Sequence, residues 1–299
     1  MKNIALTVAI LLVFGITNVF AQSVPEYEVY VLMISKYTNG GGIFRFADDS
    51  DPVLYTKNYE DAPINCIYVR GGGIDLIYGP GASEETLRAM GILEEEVPKC
   101  IDFKTLLAKI GVTTGQIKYV VVGHTCFDEL GGVDQFPNAE VIVQKSAFDN
   151  PNPLGFAFPD DIAKLEELKA KGRLKIIDGD YKLAPGLEIY HSPGHTFESQ
   201  LLTVDTRDGK VVVTGDACYS YLNLKYNALP VEWCVSDAQL MLKSYDKIRE
   251  LIGGSDAPMV PAHDMDVYRR FTPVAENIVK VEYPKPETTP KYEVYSLMV

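Results

Sequence analysis

Three of the four histidines follow apolar segments that are typical of buried strands. His124 comes after VVVG, His195 lies in HSPGHT beyond the apolar segment LEIY, and His263 follows MVPA. Asp216 follows a fourth such segment, in VVVTGDACY. Because side chains beyond the carboxyl ends of strands meet at one edge of a sheet, this pattern predicts a metal site. The remaining histidine, His191, is predicted to have a structural role.

Residues 123–132, GHTCFDELGG, add potential ligands next to the first of these histidines. A cysteine thiolate binds zinc at about 2.3 Å, and a carboxylate binds zinc, iron or manganese. Cys126, Asp128 and Glu129 could therefore all serve as ligands. Other interpretations stay open: Cys126 could be a disulfide partner, an inert core residue or a nucleophile, and Glu129 could be a solvated loop residue.

The motifs resemble, in type and order, those of the metallo-β-lactamase superfamily, and within it the N-acyl-homoserine lactonases. The family's His-x-His-x-Asp-His motif corresponds to residues 124–129, with Cys and Glu in place of two histidines. Residues 193–196 match Pro-Gly-His-Thr, residues 215–219 match the Asp-Ala-x-Tyr motif, and residues 262–264 match Ala-His-Asp. The family's Asp-Thr-Gly turn, whose Asp supports the metal loops, is replaced by YGPG at 78–81. The resemblance covers nearly the whole chain after its first residues.

The predicted strands come in two groups, each followed by helices, and this order fits an αββα sandwich. The resemblance implies the same fold, in which two mixed sheets pack together between layers of helices. It also implies two metal sites built from all four motifs: a first of His124, Cys126 and His195, a second of Asp128, Glu129 and His263, and Asp216 bridging both.

These implied sites predict a metal-dependent hydrolase of a lactone, ester or related carbonyl substrate, acting through metal-bound hydroxide. The signal-like first residues predict that this hydrolase is exported. By the resemblance, Tyr219 would contact the substrate carbonyl, and Asp128 would carry the proton to the leaving oxygen. One or two Zn²⁺ ions are expected, and Fe or Mn would also suit the oxygen-rich second site. Two alternatives stay open: a non-catalytic small-molecule-binding protein on a degraded hydrolase scaffold, and an iron-dependent redox enzyme.

The chain is acidic, with a formal net charge of −13 at pH 7. Nucleic acid is therefore not an expected partner, because binding of phosphates needs a basic surface. The expected partner is a small-molecule substrate, and no membrane contact is expected after removal of the first residues. A homodimer is left open.

The first residues have the composition of a secretory signal peptide. Lys2 precedes an apolar run over residues 4–20, and the small residue Ala21 marks the predicted cleavage site. We therefore expect a signal peptide over residues 1–21, one domain over residues 24–299, and a periplasmic or secreted protein, with a membrane anchor as the alternative. The five cysteines are odd in number, so at least one thiol is expected to be free or bound to metal.

Periodicity and turn signals predict the main elements. Helices are expected at 83–90, 103–110, 159–171 and 236–252, and strands at 26–36, 42–46, 66–70, 74–78, 116–122, 140–144, 187–191, 200–206 and 210–214. Two aromatic-bearing stretches, 147–160 and 219–233, are expected to cover the site. PEYEVYVLMI at 25–34 returns as PKYEVYSLMV at 290–299, which predicts two similar strands, either neighbours in a sheet or competitors for one place.

Overall fold

The structure is a computed structural model that describes residues 26–42, 45–151, 154–253 and 258–282. The expected signal peptide and the second copy of the repeat lie outside these residues, so both stay predictions. Within the described ranges, no helix combines the length and apolar character that crossing a membrane requires.

Strands in the described ranges form two mixed β-sheets. Their bounds are β1 Glu28–Tyr37, β2 Ala62–Gly71, β3 Ile74–Tyr78, β4 Tyr119–Val121, β5 Glu140–Gln144, β6 Leu174–Ile177, β7 Tyr181–Ala184, β8 Leu187–His191, β9 Gln200–Thr206, β10 Gly209–Gly215, β11 Met259–Pro261, β12 Thr272–Ala275 and β13 Ile278–Val281. The larger sheet has the order β12-β13-β1-β2-β3-β4-β5-β6, and the smaller has the order β11-β10-β9-β8-β7. Parallel pairing runs from β3 to β6 and joins β10 to β11, and the other neighbours are antiparallel.

Helices lie along the chain between these strands. Their bounds are α1 Pro52–Lys57, α2 Glu84–Ala89, α3 Phe103–Ala108, α4 Phe127–Leu130, α5 Ser146–Asp149, α6 Pro159–Ala170, α7 Tyr221–Tyr226, α8 Ala238–Ile252 and α9 Asp266–Arg270. Short 3₁₀ turns occur at Thr38–Gly42, Thr114–Gln116, Val133–Gln135 and Glu232–Cys234.

The apolar side chains sort into layers, as the alternation of strand residues requires. Val31 of the larger sheet and Leu202 of the smaller sheet belong to one core between the sheets. Leu106 of α3 and Leu165 of α6 bury the outer face of the larger sheet, and Ile248 of α8 buries the outer face of the smaller one. The predicted αββα sandwich is confirmed.

Several local signals identified elements correctly. Ser83 caps α2 by accepting a hydrogen bond from the backbone N–H of Thr86, as its SEET sequence predicts. The glycine turn at 71–73 closes the β2–β3 hairpin, in which Arg70 pairs with Asp75. The described residues of the strand predicted at 42–46 form no strand: Gly42 ends the 3₁₀ turn Thr38–Gly42, and Phe46 makes only an isolated bridge to Pro230. The three glycines at 40–42 provide no side chains to pack on a sheet, and Asn39 and Gly40 have positive φ angles, so this run forms a turn.

The topology brings the four predicted loops to one edge of the sandwich. β4 ends shortly before His124, β8 shortly before His195, β10 directly before Asp216, and β11 shortly before His263. The edge where these loops meet holds the candidate site.

Gly194 allows the loop that carries His195 to pack against the first turn of α8. Its φ is +144°, and a Cβ atom there would overlap the backbone of Met241. No side chain fits this position without moving the helix or the loop.

We expect Gly194→Ala to lower the free energy of unfolding by about 3–5 kcal/mol, because backbone strain and overpacking add. Denaturant unfolding measures this loss. Gly172→Ala is the matched control, since Gly172 also has a positive φ (+67°) but meets no atom within 4 Å. The control should lose only about 1–2 kcal/mol. Equal losses of unfolding free energy in the two variants would show that the close approach of Gly194 to α8 adds nothing to the effect of the positive φ.

Candidate metal centre

His124, Cys126 and His195 bring three potential ligand atoms together. These atoms all lie within 4.8 Å of one another, and all three side chains are buried. Nε2 of His195 is 3.1 Å from Nε2 of His124 and 3.9 Å from Sγ of Cys126. The structure therefore assembles the set that the sequence predicts for the first metal.

The spacing of these atoms fits a tetrahedral zinc ion. Ligands at about 2.0–2.3 Å from the ion are about 3.3–3.8 Å apart along the edges of the tetrahedron. The observed separations of 3.1 and 3.9 Å lie close to that range. Two imidazoles and a thiolate are also ligands that zinc prefers, so the residues present fit the metal.

Asp216 lies between this group and His263. Its Oδ2 atom is 3.4 Å from Nε2 of His195 and 3.7 Å from Nε2 of His124, and its Oδ1 atom is 3.1 Å from Nε2 of His263. Each carboxylate oxygen thus faces a different side, as a bridging ligand requires. Burial alone would raise the pKa of Asp216, but the nearby histidines hold it below its usual range.

Asp128 and His263 approach the same region from the other side. Oδ2 of Asp128 is 3.9 Å from Nε2 of His263, and its Oδ1 atom is 4.0 Å from Nε2 of His124. The hydroxyl of Tyr37 donates to Asp128 over 3.1 Å. Burial and the charge of Asp216 raise the pKa of Asp128, so two carboxyl groups in one pocket have opposite shifts.

Glu129 does not join Asp128 and His263. Its carboxylate lies 3.3 Å from Nδ1 of His124, and its potential ligand atom groups with those of His124 and Asp216. Asp128 and Glu129 are successive residues of the short helix α4, so their side chains leave it about 100° apart. Glu129 is buried, which excludes the interpretation as a solvated loop residue.

Backbone carbonyls bind the Nδ1 atoms of His195 and His263, on the side of each ring that points away from the site. Nδ1 of His195 donates to the carbonyl of Cys234 over 2.8 Å, and Nδ1 of His263 donates to the carbonyl of Pro63 over 2.9 Å. Each bond leaves the Nε2 lone pair directed at the site. Burial, together with the neighbouring His124, lowers the pKa of His195 to about 4, so its ring is neutral near pH 7.

Tyr219 lies beside His195 within the same pocket. Its hydroxyl is 2.9 Å from Nδ1 of His195, and its ring meets that of His263 edge-on at 5.5 Å. The predicted contact of Tyr219 with a substrate carbonyl stays a prediction.

The remaining cysteine and histidine predictions have clear outcomes. All five cysteines are free thiols, so the disulfide interpretation of Cys126 is wrong. Its thiol instead lies near the imidazoles of His124 and His195. His191 contacts the carbonyl of Phe197 at 2.8 Å and takes no part in the ligand groups found in the described ranges.

Sequence reasoning missed several residues that support the site. The carboxylate of Glu198 accepts from the backbone N–H and the hydroxyl of Thr125, at 3.2 and 2.7 Å, and so fixes the residue between His124 and Cys126. The acid at 198, two residues after the Pro-Gly-His-Thr motif, was a signal that could have been used. The supporting backbone carbonyls give no sequence signal.

A pocket opens beside these groups. Its lining combines potential ligands with aromatic side chains and comprises Tyr37, Cys126, Phe127, Asp128, Phe156, His195, Asp216, Tyr219 and Cys234. Trp233, 47% exposed, meets Phe156 edge-on at 5.9 Å near this pocket. Phe156 and Trp233 belong to the two stretches that the sequence predicts to cover the site.

The fold and this site agree with a family-level comparison: the chain belongs to the metallo-beta-lactamase superfamily, whose family model matches residues 59–263. An N-acyl homoserine lactonase from Bacillus sp is 26% identical over 219 residues, which cover 70% of this chain and 84% of that protein. N-acyl homoserine lactonase AttM from Rhizobium radiobacter is 29% identical over 185 residues, covering 59% and 68% of the two chains. The match to the Bacillus cereus enzyme covers 62% of that relative.

Solved structures with this fold include enzymes that act at metal centres. An N-acyl homoserine lactone hydrolase, with its product N-hexanoyl-L-homoserine at the catalytic metal centre, superposes with a TM-score of 0.64 at 20% identity, covering 81% of this chain and 94% of that one. AidC, a dizinc quorum-quenching lactonase, gives 0.59 at 19% identity, covering 80% and 87%. At this identity the similarity shows the fold. With the family match, it confirms the prediction of an enzyme of the metal-dependent hydrolase class.

We expect Cys126→Ala to lose one zinc ion per chain relative to the wild-type protein, because the variant lacks the thiolate ligand. Elemental analysis of both proteins after gentle purification measures this loss. Burial raises the pKa of the Cys126 thiol to about 12, against the opposing effect of His124, so zinc must displace its proton near pH 7. Apparent zinc affinity should therefore rise about tenfold per pH unit for this proton, and the slope should fall in the variant.

Cys100→Ala is the control, since Cys100 is a half-buried thiol that packs on core residues and contributes to neither ligand group. It should keep the wild-type zinc content and pH slope. Full zinc content in Cys126→Ala would exclude a bond between Cys126 and the metal.

Proposed function

We propose that this chain is a zinc-dependent hydrolase of lactones or closely related esters. The observation that carries this proposal is the pocket whose lining combines Cys126, His195 and Asp216 with aromatic side chains. The lactonase relatives support a lactone as substrate. One zinc ion would be held by His124, Cys126 and His195, and a second by Asp128, Asp216 and His263.

A bound divalent ion supplies Lewis acidity towards the carbonyl group and makes water a better nucleophile. The chain's own residues then determine geometry and proton transfer. Asp128 borders the pocket and receives a hydrogen bond from Tyr37, which fixes its carboxylate where it can accept and return a proton. Tyr219 also borders the pocket, and its hydroxyl, which lies 2.9 Å from Nδ1 of His195, would have to leave its present partners to orient a substrate carbonyl.

The aromatic side chains that line the pocket favour a substrate with an apolar group next to the reacting carbonyl. Phe127 and Phe156 line the pocket, and the half-exposed Trp233 extends this surface outwards. Burial of an acyl chain there would contribute about 0.8 kcal/mol per methylene. An N-acyl lactone has both parts: an ester that would react beside the polar side chains and an acyl chain that would contact the aromatic side chains.

We expect zinc-loaded protein to hydrolyse N-acyl homoserine lactones, to lose that activity with a chelator, and to regain it with zinc. Asp128→Asn should lower kcat by about 10²–10⁴, because the carboxylate that moves the proton is lost. The assay follows proton release from a panel of acyl lactones, with zinc content measured in parallel. Asp134→Asn is the control, since Asp134 is an exposed carboxylate a few residues further along the chain.

Three outcomes would contradict this proposal. Tight small-molecule binding that ignores chelators, without turnover of any lactone or ester, would indicate a non-catalytic binding protein. Oxygen consumption by an iron-loaded form would indicate the redox alternative. A wild-type rate in Asp128→Asn would remove Asp128 from the proton transfer.

We expect Trp233→Ala to raise KM for long-chain acyl lactones by about fivefold or more while kcat stays near wild type, because the ring would contact the chain and not the reacting atoms. Steady-state kinetics across chain lengths measures this. Leu93→Ala is the matched control, since Leu93 is another exposed apolar side chain, in the segment between α2 and α3. An equal effect on short and long chains would place Trp233 outside the acyl-binding surface.

A further inference from the structure

The Glu129 carboxylate lies behind His124, away from the substrate pocket. It is 3.3 Å from Nδ1 of His124 and borders a separate cavity between the two sheets, together with Tyr78 and Val213. Asp128, the preceding residue, borders the substrate pocket instead. Two successive residues of α4 therefore act on different sides of the site.

The other ring nitrogen of His124 faces the candidate ligands. Nε2 lies 3.1 Å from Nε2 of His195 and 3.7 Å from Oδ2 of Asp216. A histidine that binds a metal through one nitrogen commonly donates its other N–H to a carboxylate or a carbonyl. His195 and His263 follow this rule with carbonyls, and His124 follows it with Glu129.

Packing confines the carboxylate to this position. A Cβ atom at Gly123 would overlap Oε2 of Glu129, and a Cβ atom at Gly79 would lie 3.4 Å from its carboxyl carbon. The side chain is only 4% exposed. The two glycines thus leave the space that the carboxylate fills, next to the turn at 78–81 that has no acidic residue of its own.

We infer that Glu129 is a positioning residue for His124 and not a ligand of a second metal ion. This inference rests on the metal centre of the proposed function. The carboxylate fixes the tautomer of His124 and the direction of Nε2, and so strengthens the site that contains Cys126. The proposed second ion would then be held by Asp128, Asp216 and His263, without a bond to Glu129.

Metal binding by Glu129 variants tests this role independently of activity. We expect Glu129→Ala to weaken zinc binding at the Cys126-containing site about 10–100-fold, while the number of ions bound at saturation stays the same. Chelator competition gives the affinity, and elemental analysis gives the number of ions. Cobalt substitution gives a separate readout, because the cobalt–thiolate absorption reports the occupancy of the site that contains Cys126.

Glu129→Gln keeps the shape and an oxygen that accepts from the Nδ1 N–H, so its loss of affinity should be smaller. Glu140→Gln is the matched control, a half-buried glutamate at the amino end of β5, which should bind zinc like the wild type. Thermal unfolding of the metal-free proteins establishes that each variant is folded.

Two results would overturn the inference. Loss of one ion at saturation, with unchanged affinity at the cobalt–thiolate site, would make Glu129 a ligand of the second ion. Wild-type zinc affinity in both Glu129 variants would show that Glu129 does not support the metal centre, even where the wild-type protein binds zinc and hydrolyses lactones. A wild-type protein that binds no zinc would instead refute the proposed function itself.

Discussion

The hydroxyl of Tyr78 joins the two sheets next to the loops that carry His124 and Asp216, and the rest of the site depends on this contact. It donates to the carbonyl of Gln200 over 2.7 Å, and the Gln200 N–H in turn donates to the carbonyl of Gly123 over 2.9 Å. A Cβ atom at Gly123 would lie 2.6 Å from the same hydroxyl, and a Cβ atom at Gly215 would overlap it. The glycines directly before His124 and Asp216 therefore leave room for the Tyr78 ring between the loops that carry these two residues.

Further hydrogen bonds hold the loop of His124 to the smaller sheet. The side-chain amide of Gln200 also donates to the carbonyl of Val122, so the residues just before His124 are held through both the backbone and a side chain of the smaller sheet. Buried polar groups that are hydrogen-bonded in this way specify one arrangement, because leaving any of them without a partner costs about 1–3 kcal/mol. The positions of the ligands are thus consequences of how the two sheets meet.

The parts of the molecule that were predictable from the sequence are those with local causes. The hairpin of β2 and β3, the cap at Ser83 and the loops that carry His124, His195, Asp216 and His263 all follow from short patterns of glycine, polar and apolar residues. Short strands such as β12 and β13 were missed, because their few residues do not show a clear alternation. They are defined by pairing: β13 with β1, and β12 with β13. The contact between Glu129 and His124 was missed for a different reason. The direction of a long side chain is set by neighbours that are distant in sequence, here Tyr78 and Gly79.

The two substitutions in the first motif have different physical consequences. Under the proposed function, Cys126 would bring its charge to the metal itself, since a bound thiolate lowers the Lewis acidity of the ion that it contacts. Glu129 would act from behind His124, where its charge would reach an ion only by making the imidazole a stronger donor. The two residues would therefore add negative charge through one direct bond and one indirect contact. Such a site would hold zinc more firmly at His124 than a site with an unsupported imidazole, and its remaining electrophilic power would depend on the ion that Asp128, Asp216 and His263 would hold.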